Sequence, residues 1–327
     1  MKNLRNILIL FFVSSTIVFA QSQTGRDKGI EFYEQADYKN AIKVLKEAAK
    51  AEPADHTVHH YLGLSLMNEN KLKDAEKAFE RAIKLNPNFA GSQTGLAYIY
   101  LRRDKLKSAA ETAEKAVALD GRNAEAYFVL SSVYLRSGNA DRALENTEQA
   151  IKLDPNFASA HLLKAHSLMN LSLTNQDYKN RSVRYGTAGD SIGKFITLSK
   201  NLSNIGFWQK QRETLKFFAD YYTEREKNRS AVAPSADDSS TPVKILNKKP
   251  AGYTEKARQA SVSGFIRLLV AFSEDGTIKH VLALNSLGFG LDEEAIDAAK
   301  DIKFEPATKD GRPVTVVKTI EYTFSIY

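Results

Sequence analysis

Apolar residues recur along the first half of this chain at a fixed interval. Ala41, Ala75, Ala109 and Ala143 stand 34 residues apart, as do Ala48, Ala82, Ala116 and Ala150. Pro53, Pro87, Gly121 and Pro155 form a third column, and Leu62, Leu96 and Leu130 a fourth. A fixed period of this length predicts stacked supersecondary units, not one globular core. Within each unit the apolar positions follow helical spacing. The small residues let two helices approach closely, and Asn86-Pro87 and Asp154-Pro155 stop the second helix because proline cannot continue it.

The units begin near Ser22, His56, Ala90 and Ala124, and a fifth opens at Ala158 with Ala165 and Leu168 before leaving the pattern. Leu173 to Asn180 reads as an enlarged turn. Helical patterning resumes over Arg181 to Leu198 and Phe207 to Lys227. The last segment carries Trp208, Leu215, Phe217, Phe218, Tyr221 and Tyr222, expected to cover the exposed end of the stack. Spacing and column chemistry together resemble tetratricopeptide repeats, a helix–turn–helix unit. That resemblance implies a concave groove lined by first helices, and its columns fall on His60, Leu64, Tyr98, Arg102, Phe128, Arg136, His166 and Asn170. Repeats of this family that clamp a peptide carboxylate carry lysine and asparagine in these columns. Here Arg26, His60, Thr94 and Phe128 fill one column and Ile30, Leu64, Tyr98 and Ser132 the next. The clamp is absent, and the groove reads as mixed aromatic and basic.

Past a small, polar, proline-bearing stretch, Ala233 to Pro242, the period changes. Phe265 to Phe272 and Ile278 to Leu284 read as strands joined at Asp275-Gly276, a hairpin signal. Asp292 reads as a cap for a helix with an apolar face of Ala295, Ile296, Ala299 and Ile302, ended by Pro306. Val314 to Ile326 alternates as one long half-buried strand. Strand–strand–helix–strand predicts a small α+β domain.

Several residues here, in order and spacing, resemble the C-terminal domain of TonB-family proteins. They are Tyr253 and Ala257 ahead of Gly264, Asp275-Gly276, Ser286 and Leu291-Asp292, followed by Phe304-Glu305-Pro306-Ala307 and Gly311-Arg312-Pro313-Val314. Thr254 stands where the family has proline. The resemblance implies that the last strand pairs with extended peptides of outer-membrane receptors, through an edge placed at Val314, Val316, Lys318, Ile320 and Tyr322. The other reading of this edge is that the chain itself covers it, or that it pairs with another copy of the chain as a homodimer.

Fold class is therefore an all-α repeat solenoid followed by a small α+β domain, with a three-stranded antiparallel sheet and one helix. Residues 1–20 form an export signal, with Lys2 and Arg5 before the apolar run Ile7 to Val13 and cleavage ahead of Gln21. Left uncleaved, the same residues are a membrane anchor, short of the about 20 apolar residues of a comfortable span. The repeats occupy 21–172, their helical cap 173–228, a linker 229–249 and the last domain 250–327. The 327 residues suit about two domains.

The net charge of +7 divides unevenly: from Pro250 onward 9 Lys and Arg face 11 Asp and Glu, leaving +9 on the rest. No Lys/Arg run of the nucleic-acid kind appears, so no nucleic-acid partner is expected. With 0 cysteines there are no disulfides and no thiolate chemistry. His56, His59 and His60 share a helix but lack the H-E-x-x-H pattern, and no metal or cofactor is expected. No nucleophile elbow, phosphate loop or full glycine fingerprint is present.

The chain thus reads as a non-enzymatic adaptor in the periplasm of a Gram-negative-type cell, with protein or peptide partners that include TonB-dependent receptors. The rival readings are an anchored TonB-type energy transducer for outer-membrane transport and, last, an enzyme. For the transducer, a linker of roughly 20 residues reaches at most about 70 Å.

Overall fold

The computed structural model describes residues 24–174, 177–199, 202, 204–229 and 240–326. The expected export signal, and residues 230–239 of the expected linker, lie outside the described residues. The chain folds as two compact units that divide between Asn86 and Pro87.

The first unit holds two helix pairs, α1 (Gly25–Glu34) with α2 (Tyr38–Ala51) and α3 (His56–Asn68) with α4 (Leu72–Leu85). Thr24, Asp37 and Asp55 cap the first three, each side chain accepting a first-turn N–H. Each pair is held by a small residue on the first helix and a large one on the second. A Cβ on Gly29 would meet Leu45 at 2.5 Å, and one on Gly63 would meet Phe79 at 2.7 Å. Leu45 and Phe79 are fully buried in the space those glycines leave.

The second unit continues with α5 (Ala90–Arg102), α6 (Leu106–Leu119), α7 (Ala124–Arg136), α8 (Ala140–Leu153) and α9 (Ala158–Thr174), then α10 (Tyr178–Leu198) and α11 (Ile205–Arg229). The same pair of positions now holds Ala97 with Ala113, buried in one cluster, and Ser131 with Thr147, whose hydroxyls hydrogen-bond. The two positions are thus filled differently from repeat to repeat, a glycine facing a large side chain in the first unit and two small residues facing each other in the second. The turn inside each repeat needs a left-handed residue. Ala36, Asn70, Asp104 and Gly138 all have positive φ, of 57, 57, 59 and 79°. Only the last is glycine, so the first three hold a conformation that disfavours a Cβ. Of the stretch 173–180 expected as an enlarged turn, Leu173 and Thr174 end α9 and Tyr178 to Asn180 open α10.

Beyond α11 come β1 (Lys244–Asn247), α12 (Glu255–Gln259), β2 (Gly264–Phe272), β3 (Val281–Ala283) and α13 (Leu291–Lys300). They are followed by β4 (Lys303–Glu305), β5 (Ala307–Lys309), β6 (Arg312–Val314) and β7 (Val316–Phe324). The main sheet is antiparallel with order β3-β2-β7, and β1-β4 and β5-β6 are two-stranded. Strand β1 thus falls inside the stretch 229–249 expected as linker. Three expectations change. The helix ends at Lys300, and Pro306 follows a strand instead of ending the helix. The long last strand is broken at Thr315, because Asp310-Gly311 folds 307–314 into a hairpin with positive φ at both turn residues. Asp292 does not cap α13: Gly290 takes that position, and the buried Asp292 carboxylate accepts from the Leu287 N–H and the Ser286 hydroxyl. Thr254, the departure from proline, caps α12 and donates to Phe289 O at 2.7 Å.

Both faces of β2 are buried. Ile266, Leu268, Val270 and Phe272 pack with Leu291, Ala295, Ile296 and Ala299 of α13. On the opposite face Leu269 and Ala271, with Leu282 and Leu284, share a core with Leu168 and Met169 of α9, Tyr185 and Ile192 of α10, and Leu215, Phe218 and Tyr222 of α11. The aromatic helix α11 therefore packs between α10 and the sheet, with Lys210, Glu213, Lys216 and Asp220 along an exposed side.

Two substitutions test the packing and turn arguments. Gly63→Ala should lower unfolding free energy by about 1–3 kcal/mol, because the added methyl meets the Phe79 ring. Ala36→Gly should raise it by about 1 kcal/mol by relieving the left-handed residue. Urea denaturation of the full chain reads both.

Candidate functional site: an open strand edge and the repeat columns

Strand β7 lies at the margin of the main sheet. Which of its main-chain groups are free follows from the ladder. Ala271 donates to His280 O at 3.0 Å and Leu284 to Arg267 O at 2.9 Å. In an antiparallel strand the N–H and C=O of one residue point the same way, and the direction alternates along the chain. Arg267, Leu269 and Ala271 therefore address β3, while Ile266, Leu268, Val270 and Phe272 address β7. Their partners in register are Tyr322, Ile320, Lys318 and Val316.

Four of the five residues expected at the edge thus turn their main-chain groups inward to β2. The fifth, Val314, sits opposite Ala307 in the β5-β6 hairpin. The outward groups belong to Thr315, just before β7, and to Val317, Thr319, Glu321 and Thr323 within it. Thr315 O accepts from Arg225 Nη2 at 3.1 Å and from the Tyr221 hydroxyl at 3.4 Å. Glu321 O accepts from Lys248 Nζ at 2.6 Å. Among the described residues no hydrogen bond reaches the outward groups of Val317, Thr319 and Thr323.

The other margin is closed. Val281 and Ala283 face away from β2, and the side chain of Gln211 on α11 serves both. It accepts from Ala283 N at 3.0 Å and donates to Val281 O at 3.4 Å. Asn170 Nδ2 of α9 donates to Leu284 O at 3.0 Å, and the Phe217 ring stacks on His280 at 3.7 Å. Gln211 was not singled out in the sequence. A buried glutamine on an otherwise apolar helix face is the only signal that points to it.

The repeat-column residues are placed as follows. In the first unit His60 is buried against Phe79, ring centroids 5.8 Å apart, and Leu64 is half-buried. In the second unit Arg102 lies over the Tyr98 ring, and Tyr98 and Phe128 flank one apolar cluster. Arg136 donates to Leu101 O at 3.0 Å and Asp104 Oδ1 at 2.7 Å. His166 lines a small cavity with Trp208, Gln211, Ser286 and Asp292, and Asn170 is taken up by Leu284. Tyr98, Arg102, Phe128 and Arg136 lie on α5 and α7, whereas His166 and Asn170 are covered by the C-terminal sheet. Burial, with a smaller push from His56, lowers the His60 pKa to about 4, and burial alone lowers His166 to about 4. Burial raises Asp292, opposed by its bonds from Ser286 and Leu287. Of the histidines expected not to bind metal, His59 contacts Pro53 O and His56 contacts Asn86 Nδ2. Among the described residues no group of three or more His, Cys, Asp and Glu is arranged to hold a metal, and no helix is long and apolar enough to cross a membrane.

The class of protein follows from these elements and from known families. Residues 249–326 match the family model described as Gram-negative bacterial TonB protein C-terminal. Residues 26–92 and 60–127 match tetratricopeptide repeat, and 102–176 match anaphase-promoting complex, cyclosome, subunit 3. The chain carries tetratricopeptide repeats followed by a TonB-type C-terminal domain, and this combination marks a protein-interaction adaptor. No curated protein matches it.

Among solved structures it is similar to MamA 41-end from Desulfovibrio magneticus RS-1, at 23% identity over 53% of this chain and 92% of that one, TM-score 0.42. PilF of Pseudomonas aeruginosa is 15% identical over 64% and 91%, TM-score 0.48. A thermophilic TPR protein of Thermus thermophilus, TTC0263, is 17% identical over 59% and 97%, TM-score 0.48. At these values the similarities carry no functional implication.

Two measurements check the site's physics. Gln211→Ala should lower stability by about 2 kcal/mol or more in denaturant titration, because it strands buried backbone groups of β3. For His60 the folded pKa lies below the ordinary 6.5. The unfolded chain then takes a proton that the folded chain refuses, so stability falls from pH 6.5 to about 4 and levels off below. The share of that loss due to His60 should approach about 3 kcal/mol in thermal unfolding against pH, and His60→Phe should remove that share while leaving the similar one from His166.

Proposed function

We propose that the protein is an exported adaptor of a Gram-negative-type periplasm. The open edge of β7 takes an extended peptide from an envelope or outer-membrane protein, TonB-dependent receptors among them, by adding it as a fourth strand. The observation that carries this reading is the pair of unbonded outward residues, Val317 and Thr319, beside a β3 margin closed by Gln211. An unpaired edge offers donors and acceptors to any extended chain and is usually blunted in a protein with no use for it. A second partner binds the repeats. The exposed guanidinium of Arg102 and the half-buried rings of Tyr98 and Phe128 support an aromatic and basic contact there. The domain family, with its Gram-negative description, supports the envelope setting.

A photo-crosslinking residue at Thr323, introduced in the full chain in its native cells, tests the edge. It should give a discrete adduct with an envelope protein, and Thr319→Pro should abolish that adduct. Proline at Thr319 removes an outward donor and leaves the ladder to β2 intact. An adduct unchanged by Thr319→Pro defeats strand addition. Intact mass of protein recovered from the envelope tests export: a start at Gln21 is expected, whereas retention of residues 1–20 makes the protein tethered and favours the energy-transducer reading.

A further inference from the structure

The open edge is shorter than the strand that bears it. At one end the Thr315 carbonyl is held by Arg225 and Tyr221, both on the last repeat-side helix α11. At the other, the Glu321 carbonyl is held by Lys248, whose ammonium also lies 4.5 Å from the Tyr322 ring centroid. Arg225 is anchored over the Tyr221 ring, 5.1 Å from its centroid. Between these ties remain the N–H and C=O of Val317 and of Thr319, and the N–H of Glu321. The tie at Thr315 is the firmer. Its donors sit on a 25-residue helix whose neighbouring side chains form the core under the sheet, whereas Lys248 reaches from an exposed lead-in segment.

We propose that Tyr221 and Arg225 are specificity-determining residues of the edge, and that with Lys248 they confine an added strand to the register Val317–Glu321. The proposal rests on the strand-addition reading and adds the class of partner: a short extended segment of another protein, with about five residues in the ladder. A second copy of this chain is a poor occupant. Two β7 strands pairing about Thr319 would set each Thr315 against the other copy's Thr323. That arrangement displaces the ties on both copies at once. A short peptide seated between the ties displaces none of them.

The test uses the full chain and peptides of about 12 residues selected from a displayed random library. Binders are kept when they slow amide hydrogen exchange at Thr319. Each kept peptide is then trimmed from both ends, and affinity is measured by fluorescence anisotropy. On the native chain, trimming to the central five or so residues should change Kd less than threefold, with no protection at Thr315. In the Tyr221→Phe, Arg225→Gln double variant, which keeps both stems, the long peptides should bind about five- to tenfold tighter. The trimmed ones should be unchanged, and protection should reach Thr315. Lys248→Gln supplies the same comparison at the other end should the double variant fail to fold.

Tenfold losses on trimming with the native chain would overturn the proposal, as would a dimer through β7 in sedimentation or equal gains for long and trimmed peptides in the variants. If no peptide slows exchange at Thr319, strand addition itself is refuted and the register limit with it.

Discussion

A strand that is dry on both faces governs the second unit. β2 offers one set of side chains to α13 and the alternate set to α9, α10 and α11. Each fully buried leucine or phenylalanine of that set contributes about 1.5–3 kcal/mol, so neither layer can leave without exposing a continuous apolar surface. This is why the domain rests directly on the end of the repeats although the chain between them includes a polar stretch. It also explains why Leu215, Phe218 and Tyr222 of α11 are buried while Lys210, Glu213, Lys216 and Asp220 of the same helix stay exposed.

The same packing treats the two margins of the sheet unequally. Burial against α11 leaves the outward groups of β3 without water, and an unmet buried amide is costly. Gln211 supplies a donor and an acceptor with the spacing of a strand, and closes that side. β7 is tied at Thr315 and Glu321 and open between them. A sheet with one satisfied margin and one available margin has a defined polarity for any strand that joins it.

Much of this was legible in the sequence. The interval of 34 residues located the helix pairs, and the change from helical to alternating spacing located the α+β domain. The pairings Gly29–Leu45, Gly63–Phe79, Ala97–Ala113 and Ser131–Thr147 were also present in the sequence, but they show only when paired positions are compared as contacts. Asp310-Gly311 carries the turn chemistry that Asp275-Gly276 carries, and it splits what alternation alone reads as one strand. The edge was less legible. Alternation assigns side chains to faces, yet the direction of each carbonyl depends on which neighbour a strand pairs with. The residues with inward side chains, Ile320 and Tyr322, also spend their main-chain groups on β2. The repeat columns at His166 and Asn170 failed for a related reason. Period predicts which way a residue points, not that a domain far along the chain will cover it.

By itself the sequence determined the local elements, because period, capping residues and turn chemistry act over a few residues at a time. It also determined the two classes of module, since their motifs lie in order along the chain. Only the tertiary structure decided that the sheet's second face lies on α11, that Gln211 closes one margin, and that Val317 and Thr319 are left open between the ties. Those outcomes depend on pairing and burial between segments far apart in sequence, such as Asn170 and Leu284, 114 residues apart. No short-range pattern encodes which partner removes a given backbone group from water.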